Sequence, residues 1–175
     1  MNSSDRRQAI LDLLRNYQET IKGSELADRF EVSRQVIVQD IAVLRASGEQ
    51  IVATPQGYMM IIRSGNSDSM KKTIATKHQG NEAIDEELKI IVDNGGKILD
   101  VIVEHPVYGE IRGNLMISTR HDIEDFMSKL LCEKAEPLCS LTEGVHLHTV
   151  DVPDEESFRR IICELKKRGY LFQEV

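Results

Sequence analysis

Ser33 to Gly48 constrains this chain more than any other stretch. Ser33 is a strong helix-capping residue type, and Val36, Ile37, Ile41 and Leu44 recur at helical spacing after it. Gly48 stands just past the last apolar residue, where a helix stops. A helix over Arg34–Ala46 with one apolar side must lie on partners, and the neighbouring sequence supplies them. Residues 4–17 read as an amphipathic helix burying Ile10, Leu13, Leu14 and Tyr17. Residues 23–30 read as a shorter helix burying Leu26, Ala27 and Phe30, and Glu31-Val32 as a tight turn. Downstream, 50–54 and 57–62 read as two strands joined at Pro55-Gln56-Gly57.

Helix, helix, turn, helix, hairpin is the plan of a winged helix-turn-helix. The run Gly23-x-x-Leu26-Ala27-x-x-Phe30-x-Val32-Ser33-Arg34-x-x-Ile37-x-x-Asp40-Ile41-x-x-Leu44-Arg45-x-x-Gly48 resembles the winged domains of bacterial regulators and of bifunctional biotin ligase/repressors, over roughly residues 4–62. A three-helix domain without a DNA role is the competing reading. Polar groups at Ser33, Arg34, Gln35 and Gln39 favour a face that meets double-stranded operator DNA. Arg34 suits a bidentate contact to guanine, and Gln35 and Gln39 suit adenine. Ser33 and the backbone N–H groups beside it suit a phosphate. Thr54 and Gln56 in the wing suit the backbone or minor groove. Many regulators of this pattern carry Arg where this chain has Gln39. That implies modest phosphate affinity per copy and a homodimer on two half-sites.

Charge supports the same division. The 175-residue chain has a net charge of −7, unusual for a nucleic-acid binder. Residues 1–63, however, hold eight Lys/Arg against eight Asp/Glu, and residues 64–175 hold fourteen against twenty-one. DNA contact belongs to the first part. No apolar run reaches the ~20 residues of a membrane helix, and no apolar h-region follows the first residues, so a cytoplasmic protein without membrane contact is expected. Three cysteines with no C-x-x-C spacing fit a reducing compartment, with buried free thiols and neither disulfide nor zinc ribbon.

Residues 64–70 are small and polar and read as a linker, dividing a winged domain at 1–63 from a second domain at 71–175. In the second domain, strands are expected at 72–78, 97–104, 110–117 and 145–151. Helices are expected at 82–93, from the Thr119-x-x-Asp122 capping box to about 132, and from Pro153 to 167. Residues 137–143 read as a loop and Tyr170-Leu171-Phe172 as a short final strand. The fold class is α+β, an α+β sandwich with its helices on one face.

Within the 145–151 strand, alternation puts His146 and His148 on one face and Val145, Leu147 and Thr149 on the other. Two imidazoles on one rigid face are half of a metal site. His78 at the end of the first strand and Glu86 in the following helix are candidate partners, with Glu87 competing. Three imidazoles and a carboxylate suit a divalent first-row metal such as nickel, zinc, iron or manganese. Spacing equally allows His78 as an exposed strand end and Glu86 as a solvated helix residue. His105, before Pro106, reads as a turn histidine, and His121 as a surface one.

Thr76-Lys77-His78, the acidic helix start at Glu86, Val103-Glu104-His105-Pro106-Val107-Tyr108-Gly109 and His146-Leu147-His148 together resemble the 3H domain family. Joined to a winged helix, the chain resembles the niacin-responsive NiaR-type repressors along essentially its whole length. The resemblance implies a cytoplasmic dimer whose metal ligands are His78, Glu86, His146 and His148, with nickel or zinc as the expected ion. It implies nicotinic acid as co-repressor and operators of NAD synthesis or niacin uptake genes. A metal-sensing repressor without niacin response and a small metal-dependent enzyme are the alternatives. Against the enzyme, the sequence shows neither a nucleophile–base arrangement nor a phosphate loop, and no Gly-Arg-rich biotinyl-transfer loop follows the winged part.

Overall fold

The computed structural model describes residues 2–17, 19–60 and 70–172. The chain divides into two compact units, parted between residues 66 and 67. The expected linker at 64–70 lies outside the described residues except for Met70.

In the first unit, α1 (Ser3–Asn16), α2 (Gly23–Arg29) and α3 (Arg34–Ala46) precede a hairpin of β1 (Ile51–Thr54) and β2 (Gly57–Met60). Residues 61 and 62, expected to continue β2, lie outside the described residues. The three helices bury one stripe each, and Ile10, Leu14, Leu26, Ile37, Ile41 and Ile51 meet in a single core. Val36, expected to face in, is only half-buried, because Ile37, Asp40, Ile41 and Leu44 fill the inner stripe of α3. Asp40 is buried there and accepts from Arg6 Nε at 2.6 Å, with Arg7 3.6 Å away, so α3 is tied to α1. A buried carboxylate is tolerable only when paired in this way. Gly57 has φ +148, and a Cβ there would lie 2.4 Å from the carbonyl oxygen of Ile21. Ile21 and Tyr58 exchange backbone hydrogen bonds at 2.9 Å, which sews the wing to the segment before α2.

The second unit runs β3 (Met70–Lys77), α4 (Asn81–Asp93), β4 (Lys97–His105), β5 (Gly109–Ile117), α5 (Arg120–Cys132), β6 (Val145–Val152) and α6 (Glu155–Lys167). Its sheet has the order β3-β6-β4-β5, with every neighbouring pair antiparallel. All three helices bury their apolar stripes in one cluster with Ile74, Ile98, Ile117, Val150 and Val152, so they cover one face of the sheet. This is the expected α+β sandwich. The capping box at Thr119 and Asp122 is formed.

Further local expectations need correction. Tyr17, expected to be buried with the first helix, caps the end of α1 and is 53% exposed. The stretch expected as a loop at 137–143 contains a 3₁₀ turn, Leu138–Thr142, which folds inward to bury Cys139. Tyr170–Phe172 makes a single bridge, Leu171 to Thr76, and no strand. The three cysteines are free thiols, but Cys132 and Cys163 are exposed and only Cys139 is buried.

Candidate metal centre

Strand β6 alternates half-buried and buried residues throughout, and His146 and His148 both fall on the covered face. His78 follows the last residue of β3 and is also buried. By cross-strand register Thr76 stands beside His146 and Ile74 beside His148, which brings His78 to the same end of the sheet. The rings of His78 and His146 lie edge to face with centroids 4.9 Å apart, as do those of His146 and His148.

The carboxylate among them comes from Glu87. Ile84, Glu87, Leu88 and Ile91 form the buried stripe of α4, at spacings of three and four residues. Glu87 Oε2 lies 2.5 Å from Nε2 of His78, 3.1 Å from Nε2 of His146 and 3.4 Å from Nε2 of His148. Glu86, expected in this place from sequence, points elsewhere. It accepts a hydrogen bond from the Tyr170 hydroxyl and pairs with Arg168 at 2.9 Å. One residue along a helix turns a side chain by about 100°, enough to move Glu86 off the stripe. The bond to Glu86 pushes the Tyr170 phenol up to about 12.

The surrounding backbone fixes the ring orientations. His146 Nδ1 donates to the carbonyl of Gly144 at 2.9 Å, and His148 Nδ1 donates to the carbonyl of Asp100 at 2.6 Å. A carbonyl only accepts, so Nδ1 of each ring carries a proton; Nε2 faces Glu87, donating to it when protonated and free to offer its lone pair to a cation that takes that proton's place. Asp100 reaches His148 because β4 is irregular between Ile98 and Ile102. Its carboxylate accepts from the backbone N–H of Thr149 at 2.9 Å and from Arg112 at 2.6 Å. The irregularity thus re-aims one strand at the site, a common use of bulges. Gly144, with φ +92, lets the chain pass so close to His78 that a Cβ would lie 2.3 Å from the His78 carbonyl oxygen.

This donor set fits a divalent cation. Ligand atoms of His78, Glu87 and His146 all lie within 4.8 Å of one another. Glu87 Oε1 and His78 Nδ1 are buried without a hydrogen-bond partner. Burial would push the Glu87 carboxyl up, but the charge of His148 and hydrogen bonds from the three imidazoles outweigh it and hold the group well below the usual carboxylate range. Burial would push His148 down, and the Glu87 charge instead raises it above its ordinary value. Both shifts describe a buried anion that demands a positive charge beside it.

A cavity of about 240 Å³ adjoins the cluster. Glu87, His146 and His148 reach its wall, apolar side chains including Val101, Leu115, Phe126, Leu130 and Leu138 line most of the rest, and Glu136 also borders it. Gly113 helps keep it open, since a Cβ there would meet Leu138 at 3.0 Å and Val101 at 3.3 Å. The other histidines stay apart. His105 Nδ1 accepts from the N–H groups of Val107 and Tyr108 in the β4–β5 turn, and His121 is exposed on α5.

In the first unit, Arg34, Gln35 and Gln39 lie exposed on the outer side of α3. The Ser33 hydroxyl accepts from the N–H of Val36, so it closes the helix start. The Thr54 hydroxyl is used inside the wing, donating to the Gly57 carbonyl and accepting from two backbone N–H groups. Gln56 is half-buried and holds its amide atoms out of solvent without a partner. The structure therefore presents Arg34, Gln35 and Gln39 outward, and engages the Thr54 hydroxyl in closing the wing turn.

Fold and site define a two-part chain, an HTH domain joined to a histidine-bearing α+β domain. The 3H domain family model matches residues 71–174, and an HTH domain model matches residues 6–59. The "Probable transcription repressor NiaR" of Thermotoga maritima is 48% identical over 170 residues, covering 97% of this chain and 95% of that protein. The "Transcription repressor NadR" of Bacillus subtilis is 37% identical over 171 residues, covering 98% and 95%. The chain belongs to this NiaR/NadR type of transcription repressor, a family of DNA-binding regulators and not of enzymes.

Proposed function

We propose that the chain represses genes of NAD synthesis and niacin uptake, with nicotinic acid as co-repressor held at a divalent-metal site in the 3H domain. The observation that carries this reading is the meeting of Glu87 Oε2 with three Nε2 atoms at the wall of an apolar cavity. His78, Glu87, His146 and His148 would hold the ion, nickel or zinc suiting imidazole best. Bound there, the cation supplies the positive charge that a carboxylate ligand needs inside an acidic domain. The cavity is smaller than the ~300–1,000 Å³ of drug-sized sites, so it suits one small ring. Val101, Leu115, Phe126 and Leu130 exclude water from the faces of such a ring. Gly144 and Asp100 hold His146 and His148 in the ligating tautomer.

Arg34, Gln35 and Gln39 read operator bases from α3, and Ser33 sets the helix start against the phosphates. A homodimer in the cytoplasm presents two such helices to two half-sites. Effector binding strengthens repression to the extent that it favours the operator-competent arrangement over others.

The test is binding to an operator fragment with metal held constant. Nicotinic acid is expected to lower the apparent Kd by at least ~10-fold, within the range of allosteric couplings. A response to metal alone, with none to nicotinic acid, would instead identify a metal-sensing repressor.

A further inference from the structure

The face of the second unit's sheet opposite its three helices carries an ordered pattern of side chains. Ala75 pairs with Leu147, Leu147 with Ile102 and Ile102 with Arg112, so the middle row is apolar on three strands and ends in a cation on β5; Ile102 is buried, and Ala75 and Leu147 are half-buried. At one end, Lys77 stands on edge strand β3 beside Val145, its ammonium 5.9 Å from the centre of the Phe172 ring, while Glu104 and Glu110 stand opposite each other on β4 and edge strand β5. Like charges directly opposite in a ladder cost stability unless a cation meets them. Arg112 meets Glu110 at 2.9 Å. Among the described residues, no ion pair answers Glu104. Exposed apolar groups flank the same end on both sides. Phe172 lies against β3 and is 48% exposed, and Val107 and Tyr108 at the β4–β5 turn are each 77% exposed. A groove runs between these flanks.

We infer that this face is where two copies of the chain pack, sheet on sheet, about a two-fold axis parallel to the strands. That operation lays β3 of one copy over β5 of the other at the same level along the strands. Lys77 then meets the partner copy's acidic pair, and Phe172 comes toward the exposed valine and tyrosine of the opposite turn. Each contact occurs twice, as an isologous interface requires. Sheets stacked face to face lie about 10 Å apart, within reach of paired Lys and Glu side chains. The half-buried Ala75 and Leu147 and the exposed Phe172, Val107 and Tyr108 supply the apolar contact, and the opposed charges fix the register. The inference rests on the dimer of the proposed function and names its surface.

Sedimentation of the full-length chain tests it with three proteins. The wild type is expected to be a dimer. Glu104→Lys with Glu110→Lys, both at exposed positions, is expected to weaken dimerisation by at least ~10-fold, since misplaced like charges across an interface cost several kcal/mol. Adding Lys77→Glu to that pair is expected to restore the wild-type dimer. Carbodiimide cross-linking of the wild type gives an independent readout that needs no variant. The covalent dimer should carry peptides joining Lys77 to Glu104 or Glu110. An unchanged dimer in the double variant, or links confined to other lysines, overturns the interface and leaves the dimer itself standing. A monomeric wild type overturns both, while operator binding without dimerisation would still support the DNA-binding reading.

Discussion

Glu87→Gln abolishes stoichiometric divalent-metal binding, and Glu86→Gln leaves it intact. The two residues are chain neighbours of identical chemistry, so the contrast isolates orientation. Glu87 is fully buried, its Oε2 faces three imidazoles, and no other carboxylate stands within 4.8 Å of the His78–His146 pair among the described residues. The amide keeps the shape of the side chain but removes the charge that neutralises a cation. The expected loss exceeds the ~10–100-fold typical of outer-shell changes around a metal. Glu86 pairs with Arg168 and Tyr170 at the surface of the unit, where such a contact contributes about 0–1 kcal/mol. Metal affinity of the Glu86 variant should stay within a factor of about 3, because that contact does not reach the cluster. Calorimetric titration of zinc or nickel into the apo-proteins makes the comparison.

Gly144→Ala is expected to damage stability and metal binding together. At φ +92 an alanine is strained by roughly 1–3 kcal/mol. Its Cβ would also overlap the His78 carbonyl at 2.3 Å, and backbone cannot yield as a flexible side chain does. The Gly144 carbonyl accepts from His146 Nδ1 and from the His78 N–H, so any shift there disorients two imidazoles at once. A combined loss of about 3–5 kcal/mol follows, at the severe end for single substitutions. The second unit's Tm should fall by more than ~10 °C. Gly109→Ala is the control. Its φ is +70, but nothing lies within 4 Å of the added Cβ, so strain alone should cost about 1 kcal/mol and metal binding should survive. Thermal melts with and without zinc separate the two variants.

Much of this was legible in the sequence because local patterns agreed with the global fold. The α3 boundaries follow from Ser33 and Gly48, and β6 follows from strict alternation. The shared face of His146 and His148 is a consequence of strand geometry alone. Glu87 rather than Glu86 was legible too. Ile84, Leu88 and Ile91 define a stripe, and only position 87 completes its three-and-four spacing. Asp100 left a fainter trace, a single acid inside an apolar strand, which marks a buried polar group with a partner. That its partner would be His148 depends on a bulge, and no local pattern announces one. The wing is ambiguous for a similar reason: Thr54 and Gln56 are polar residues in a turn, which suits DNA contact and turn closure equally, and the hydrogen bonds of Thr54 show the second of these roles.

The central claim is that the histidine–glutamate cluster and the cavity beside it form one effector site. Calorimetric titration of nicotinic acid into metal-free and zinc- or nickel-loaded protein tests it most directly. Saturable one-to-one binding to the loaded protein is expected, with at least ~100-fold weaker binding to the metal-free form, the loss of a charge-assisted contact worth about 3 kcal/mol. Equal affinity in both states would contradict it.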